Sequence, residues 1–112
     1  MTNPTACGTR RYQRISLPKG MIVAWYGGGE QRISRVKTLS MGGLFVCERA
    51  VPPVNSRLRL TFEVPGGSVH AEAVVRNVAP GEGMGVEFTK IGPRDRVLLD
   101  RLLRRLLREI PN

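Results

Sequence analysis

The 112-residue sequence predicts a mainly β protein: a six-stranded antiparallel β-barrel with a C-terminal α-helix. Three observations carry that prediction. Leu58, Leu60, Phe62 and Val64 alternate with Arg57, Arg59, Thr61 and Glu63, and Val69, Ala71, Ala73 and Val75 alternate with His70, Glu72 and Arg76, giving strands with one buried face. Turns rich in glycine and proline separate short apolar runs, and no helical spacing lies between them. Helical spacing begins only after Pro93. With no helices to cross over, consecutive strands are most simply antiparallel, and a sheet of six with one apolar face closes on itself and loses its edges.

Taken in order, residues 1–9 are small and polar and are expected to be a disordered tail in the absence of a ligand. Residues 10–19 form a basic arm containing Pro18. The barrel is expected over 20–90. From Gly20, Met21, Val23 and Trp25 share one side of a strand, and Gly27-Gly28-Gly29-Glu30 turns it into a hairpin. Three glycines in a row could cradle a phosphate, but the lysine and following helix of a P-loop are missing, so the plain turn is the better reading. Of Trp25 and Tyr26, alternation turns one inward, which favours core packing over stacking on a base. The returning strand, roughly 31–37, carries Arg32, Arg35 and Lys37, with Ile33 and Val36 out of alternation, the mark of a bulge. Leu44 to Cys47 is the third strand, which Pro52 and Pro53 end because proline cannot donate into a ladder. After the two alternating strands, the loop from Pro80 to Gly83 leads into the last strand, Met84 to Phe88.

The helix is expected over 93–110. Pro93 suits the first helical position and Asp95 the first turn, and Pro111 lies beyond the end. A wide apolar stripe from Val97 to Ile110 opposes a face crowded with Arg94, Arg96, Arg101, Arg104, Arg105 and Arg108. The stripe can cap one barrel mouth. It is wide and long for that task alone, so a homodimer through this helix, or contact with a larger partner, is its second use.

One domain of this size can bury a core without staples, and 41% hydrophobic residues argue against disorder. A net charge of +9 predicts a polyanionic partner: a nucleotide, nucleic acid or an anionic membrane face. Cys7 and Cys47 lack metal-ligand spacing and have one histidine between them for company, which argues against zinc. Thr9-Arg10-Arg11 is superficially like a twin-arginine signal, but the run Met21 to Tyr26 is too short for a signal peptide and far too short for a membrane span. A cytoplasmic location is therefore expected.

Two stretches carry the functional reading. Arg10-Arg11-Tyr12-Gln13-Arg14 presents guanidinium forks that match a phosphate or the Hoogsteen edge of guanine two bonds at a time. Thr38-Leu39-Ser40-Met41-Gly42-Gly43 supplies two hydroxyls and two glycines that can take positive φ or let a backbone come close. Together with Gly83-Met84-Gly85-Val86-Glu87-Phe88, which looks like a closing strand, they resemble the PilZ domain, whose signature is an arginine-x-x-x-arginine arm followed by an (Asp/Asn)-x-Ser-x-x-Gly turn. The resemblance covers most of residues 10–107. It implies a barrel of the split-barrel type and binding of cyclic di-GMP, with Arg10 and Arg14 as the arm arginines and Ser40 and Gly43 in the serine and glycine places. Arg11 either contacts a phosphate or adds to the field. Thr38 stands where the family has Asp or Asn, and one hydroxyl has fewer accepting geometries than a carboxylate or amide.

The expected mechanism is gated ordering: the ligand draws the arm against the turn, and an unidentified protein effector reads the new surface in a motility, exopolysaccharide or pilus pathway, as the resemblance implies. No cofactor is called for. With His70 on a strand face and Glu72, Glu82 and Glu87 isolated, no catalytic constellation is visible and a non-enzyme is expected. Two other readings stay open. One is an adaptor that keeps the barrel but binds protein in place of nucleotide, for which Thr38 speaks. The other is a basic nucleic-acid-binding barrel, against which stands an aromatic content of 5%, low for a stacking platform.

Overall fold

Six strands and a helix follow one another along residues 15–109, the part of the chain that the computed structural model describes. The strands are β1 (Ile15–Gly27), β2 (Glu30–Leu39), β3 (Gly43–Cys47), β4 (Arg57–Val64), β5 (Gly67–Ala79) and β6 (Gly83–Ile91), and the helix is α1 (Pro93–Glu109). They close into a barrel in the order β1-β2-β3-β6-β5-β4, every pair antiparallel. The fold is the expected mainly β barrel with one C-terminal helix.

The pairing departs from a simple chain of neighbours at one place. β1-β2-β3 and β4-β5-β6 are two meanders, and β3 pairs with β6 while β4 pairs with β1. The reason lies in residues 48–56. Pro52 and Pro53 remove two ladder donors, so the chain leaves the sheet after Cys47, packs Val51 against the core, and re-enters beside the other meander.

β1 also starts at Ile15, inside the segment 10–19 expected as the arm. Ile15 pairs with Leu39 and Ser16 with Thr38; the ladder then breaks and resumes at Met21 opposite Val36. Residues 17–20 thus face only Lys37, and Pro18, with no amide hydrogen to donate, falls in this break. At the far end Gly28 and Gly29 have φ of 60° and 79°, the two positive values that a tight hairpin of primed type requires, so the triple glycine is a turn.

The inward positions form one core in which Trp25, Phe62, Leu39, Leu60, Met84 and Leu99 are fully buried. Trp25 faces inward, while Tyr26 is exposed. A buried indole N–H needs a partner. Trp25 Nε1 donates to Ser34 Oγ at 2.9 Å, and Ser34 Oγ donates to Glu48 Oε2 at 2.6 Å. Arg32 Nη1 reaches the other carboxylate oxygen at 3.3 Å. Ser34 therefore points inward and Ile33 outward, and the bulge expected in this strand lies at Lys37, after which Leu39 returns to the core.

The helix plugs the barrel with Leu99 and Leu103, and Leu98, Leu102 and Leu106 pack on the same core. Its apolar stripe is thus largely used within the chain, leaving Val97 and Leu107 exposed among the described residues. Asp95 does more than favour the first turn: its Oδ2 accepts from the His70 amide at 3.0 Å and ties the helix to β5. Ser34→Ala is expected to lower the unfolding free energy by about 1–3 kcal/mol by orphaning the Trp25 N–H, against a small effect of Ile33→Ala at an exposed site, both read from urea unfolding.

Candidate functional site

The turn from Thr38 to Gly43 is built by one hydroxyl. Ser40 Oγ accepts from the amides of Gly42 at 3.1 Å and Gly43 at 3.2 Å, while the Ser40 amide donates to the Gly43 carbonyl at 2.9 Å. The hydroxyl also lies 3.3 Å from that carbonyl, to which it donates. Ser40 is only 6% exposed. A short side chain that bonds the backbone two and three residues on is the usual device for such a turn.

Gly43 has a different duty. An added Cβ would lie 2.0 Å from the Val86 carbonyl oxygen, so glycine is required here for the close approach of β3 to β6. Of the two uses of glycine considered from the sequence, Gly43 serves the second. The Gly42 carbonyl accepts from the Phe88 amide at 2.8 Å, which fastens the turn to β6 as well.

Thr38 is half-buried at the last-but-one position of β2, opposite Ser16 on one side and Phe45 on the other. Lys37, the bulge residue before it, is exposed with its Nζ 5.9 Å from the centre of the Phe45 ring. Bulges re-aim side chains, and this one turns Lys37 and Thr38 out between the buried Val36 and Leu39. Phe45 and Lys37 were not singled out as site residues from the sequence. The available signal was the three-residue spacing of Val36 and Leu39 in a strand of period two.

Of the residues expected to form a site, Thr38, Ser40 and Gly43 come together at this end of the barrel. Arg10, Arg11 and Arg14 lie outside the described residues. What the described turn offers is a rigid platform: a polar strand end, fixed amides and a cation beside an aromatic ring. Nothing in it resembles a nucleophile with its base.

With this geometry in place, comparison with known proteins is direct. The PilZ domain family model matches residues 8–105, and the chain belongs to the PilZ domain family. Solved structures of the same fold include Bacillus subtilis inhibitor of motility, MotI/DgrA, at 24% identity, covering 93% of this chain and 54% of that one with a TM-score of 0.74. The PilZ domain of Escherichia coli YcgR with c-di-GMP is 20% identical, over 91% of this chain and 94% of that one, with a TM-score of 0.71. Borreliella burgdorferi PlzA in complex with c-di-GMP is 20% identical, over 81% and 39% of the two chains, with a TM-score of 0.64. At these identities the likeness is one of fold. This chain spans about half the length of MotI/DgrA. No curated protein matches it in sequence. Among the described residues, no helix is long and apolar enough to cross a membrane.

Three substitutions separate architecture from contact. Gly43→Ala is expected to cost about 3 kcal/mol or prevent folding, Ser40→Ala about 1–2 kcal/mol, and Thr38→Ala under about 1 kcal/mol, measured as shifts in the urea midpoint.

Proposed function

We propose that this PilZ domain is a cyclic di-GMP receptor, not an enzyme, and that it works in the cytoplasm by ordering a basic arm against the Thr38–Gly43 turn. The observation that carries this reading is the register at the start of β1. Ile15 pairs with Leu39 and Ser16 with Thr38, so the strand that follows Arg14 runs beside the residues entering the Ser40 turn. Arg10 is five residues from Ile15, a span of at most about 18 Å. Both arginines are therefore tethered within reach of the turn. Two of the structures of similar fold contain c-di-GMP, which supports the same ligand here.

The roles divide by chemistry. Arg10 and Arg14 supply paired donors to guanine edges and phosphates, and a dianionic ligand offsets their mutual repulsion. Arg11 adds to the positive field. Ser40 and Gly43 act by shaping the turn, since the serine hydroxyl is already bonded within it and the glycine has no side chain to offer. Thr38, facing outward, is the group in the turn left to meet the ligand. Ligand binding shifts the arm toward an ordered state, and an effector protein with a motility, exopolysaccharide or pilus output reads that state.

Calorimetric titration with cyclic di-GMP, beside GTP and a short single-stranded DNA, tests the reading. The expected outcome is heat with cyclic di-GMP alone, lost in Arg10→Ala/Arg14→Ala. Thr38→Asn is expected to tighten binding about two- to tenfold, the value of one added hydrogen bond. An absence of heat from cyclic di-GMP at high protein concentration sinks the receptor reading in favour of the protein adaptor, and heat from DNA favours the basic barrel.

A further inference from the structure

The barrel carries a second surface that the nucleotide reading does not use. On the outer wall of β1 and β2, Ile22 is 60% exposed, Ile33 69% and Tyr26 56%, and the exposed Ala24 stands directly opposite Ile33. Ile33 is the most exposed large apolar side chain among the described residues. Strand alternation does not force this outcome, because the outward positions of β4, Arg57, Arg59, Thr61 and Glu63, are polar. A contiguous aliphatic ridge on a sheet face is a common mark of an interaction surface.

The ridge continues into a cleft. Tyr26 pairs with Arg59 across the β1–β4 seam, and a cleft of about 760 Å³ opens there, lined by Tyr26, Arg57, Arg59, Glu72, Val74 and the Gly28 turn. Neither Arg57 nor Arg59 forms an ion pair among the described residues. On the opposite margin, Arg35 stands across from Ile22 and is likewise without an ion pair among them. This is an apolar centre bordered by three arginines that form no ion pair among the described residues and outnumber the one carboxylate of the cleft, Glu72, which stands across from Arg59, with aromatic and arginine side chains of the kind that anchor protein interfaces.

We propose that this wall docks an acidic protein partner, one whose contact segment places apolar side chains on Ile22, Ala24 and Ile33 and carboxylates in the cleft against Arg57 and Arg59. Charge selects this occupant. A second copy of a chain with net charge +9 would set Arg35, Arg57 and Arg59 against their own kind. Nucleic acid would satisfy the arginines and leave the aliphatic ridge in water. A lipid surface could take up the ridge, but a flat bilayer does not reach into the cleft beside it. The wall is distinct from the Ser40 turn: β1 begins beside Leu39 and ends at the Gly28 turn, and Ile33 lies five strand positions, about 16 Å, from Thr38. It is a surface separate from the nucleotide-ordered one that the effector of the receptor reading reads, and docking on it does not depend on nucleotide binding.

The test uses the full-length, isotope-labelled chain without nucleotide and an octapeptide alternating glutamate with valine, leucine, phenylalanine and isoleucine. Amide shifts are expected to cluster on Ile22, Ala24, Ile33 and Arg59. Affinity is expected to fall about tenfold in Ile33→Asp and again in Arg57→Ala/Arg59→Ala, while Ile33→Asp leaves the cyclic di-GMP titration unchanged. Failure of the peptide to shift any amide at millimolar concentration overturns the proposal, as does equal binding of the same peptide with lysine for glutamate. Shifts of the wall produced instead by single-stranded DNA or by vesicles of phosphatidylglycerol, or a dimer in sedimentation that Ile33→Asp dissociates, assign the surface to another occupant and overturn it too.

Discussion

The seam between β3 and β6 is the contact on which the rest of the barrel depends. It joins the two meanders, and it does so at a backbone separation that admits no side chain at two points: an added Cβ would lie 2.0 Å from the Val86 carbonyl at Gly43 and 1.9 Å from the Val46 carbonyl at Gly83. The two glycines sit at opposite ends of the seam, Gly43 on β3 paired with Glu87 and Gly83 on β6 paired with Cys47. Without this approach the six strands, still joined through β1 and β4, are one open sheet with two exposed edges, β3 and β6. Closing them satisfies those edges and seals the apolar face in one step.

The candidate site inherits its rigidity from this seam. The Ser40 turn is the direct continuation of β3, it is fastened to β6 through Gly42 and Phe88, and its own amides are satisfied by the Ser40 hydroxyl. A turn held in this way loses little further entropy when a ligand arrives, so the ordering cost of binding falls on whatever closes over it. The core supports the platform from below. Trp25, the largest buried side chain, is fixed by Ser34 and Glu48, and those residues lie on β2 and just after β3, the two strands that the turn connects.

Outward positions divide the barrel surface into unlike regions. Around the Ser40 turn the bulge at Lys37 breaks the strand period and sets a cation and a hydroxyl side by side, whereas toward the Gly28 turn the strict period of β1 and β2 aligns Ile22, Ala24, Ile33 and Tyr26. One irregularity in β2 thus separates a polar strand end from an aliphatic wall. The helix covers the barrel without drawing on either region, since its contacts run chiefly to β5 with fewer to β1 and β4, and Asp95 fixes it to the His70 amide.

Period-two alternation was enough to read β4 and β5, the run of three glycines to read the Gly28 turn, and the leucine stripe with its flanking prolines to read α1, because each of these signals is complete within a few residues of sequence. The residues at the turn were legible for the same reason: Thr38, Ser40 and Gly43 stand close together in the chain. What the sequence could not determine was pairing and facing. That β3 meets β6, that Ser34 turns inward to serve Trp25 while Ile33 turns out, and that Gly43 is needed for the approach of another strand all depend on residues nine or more positions away. Local periodicity encodes which face of a strand is apolar. Only the closed tertiary structure decides which strand lies alongside it, because that choice is set by backbone hydrogen bonding and steric clearance between segments whose side chains carry no record of each other.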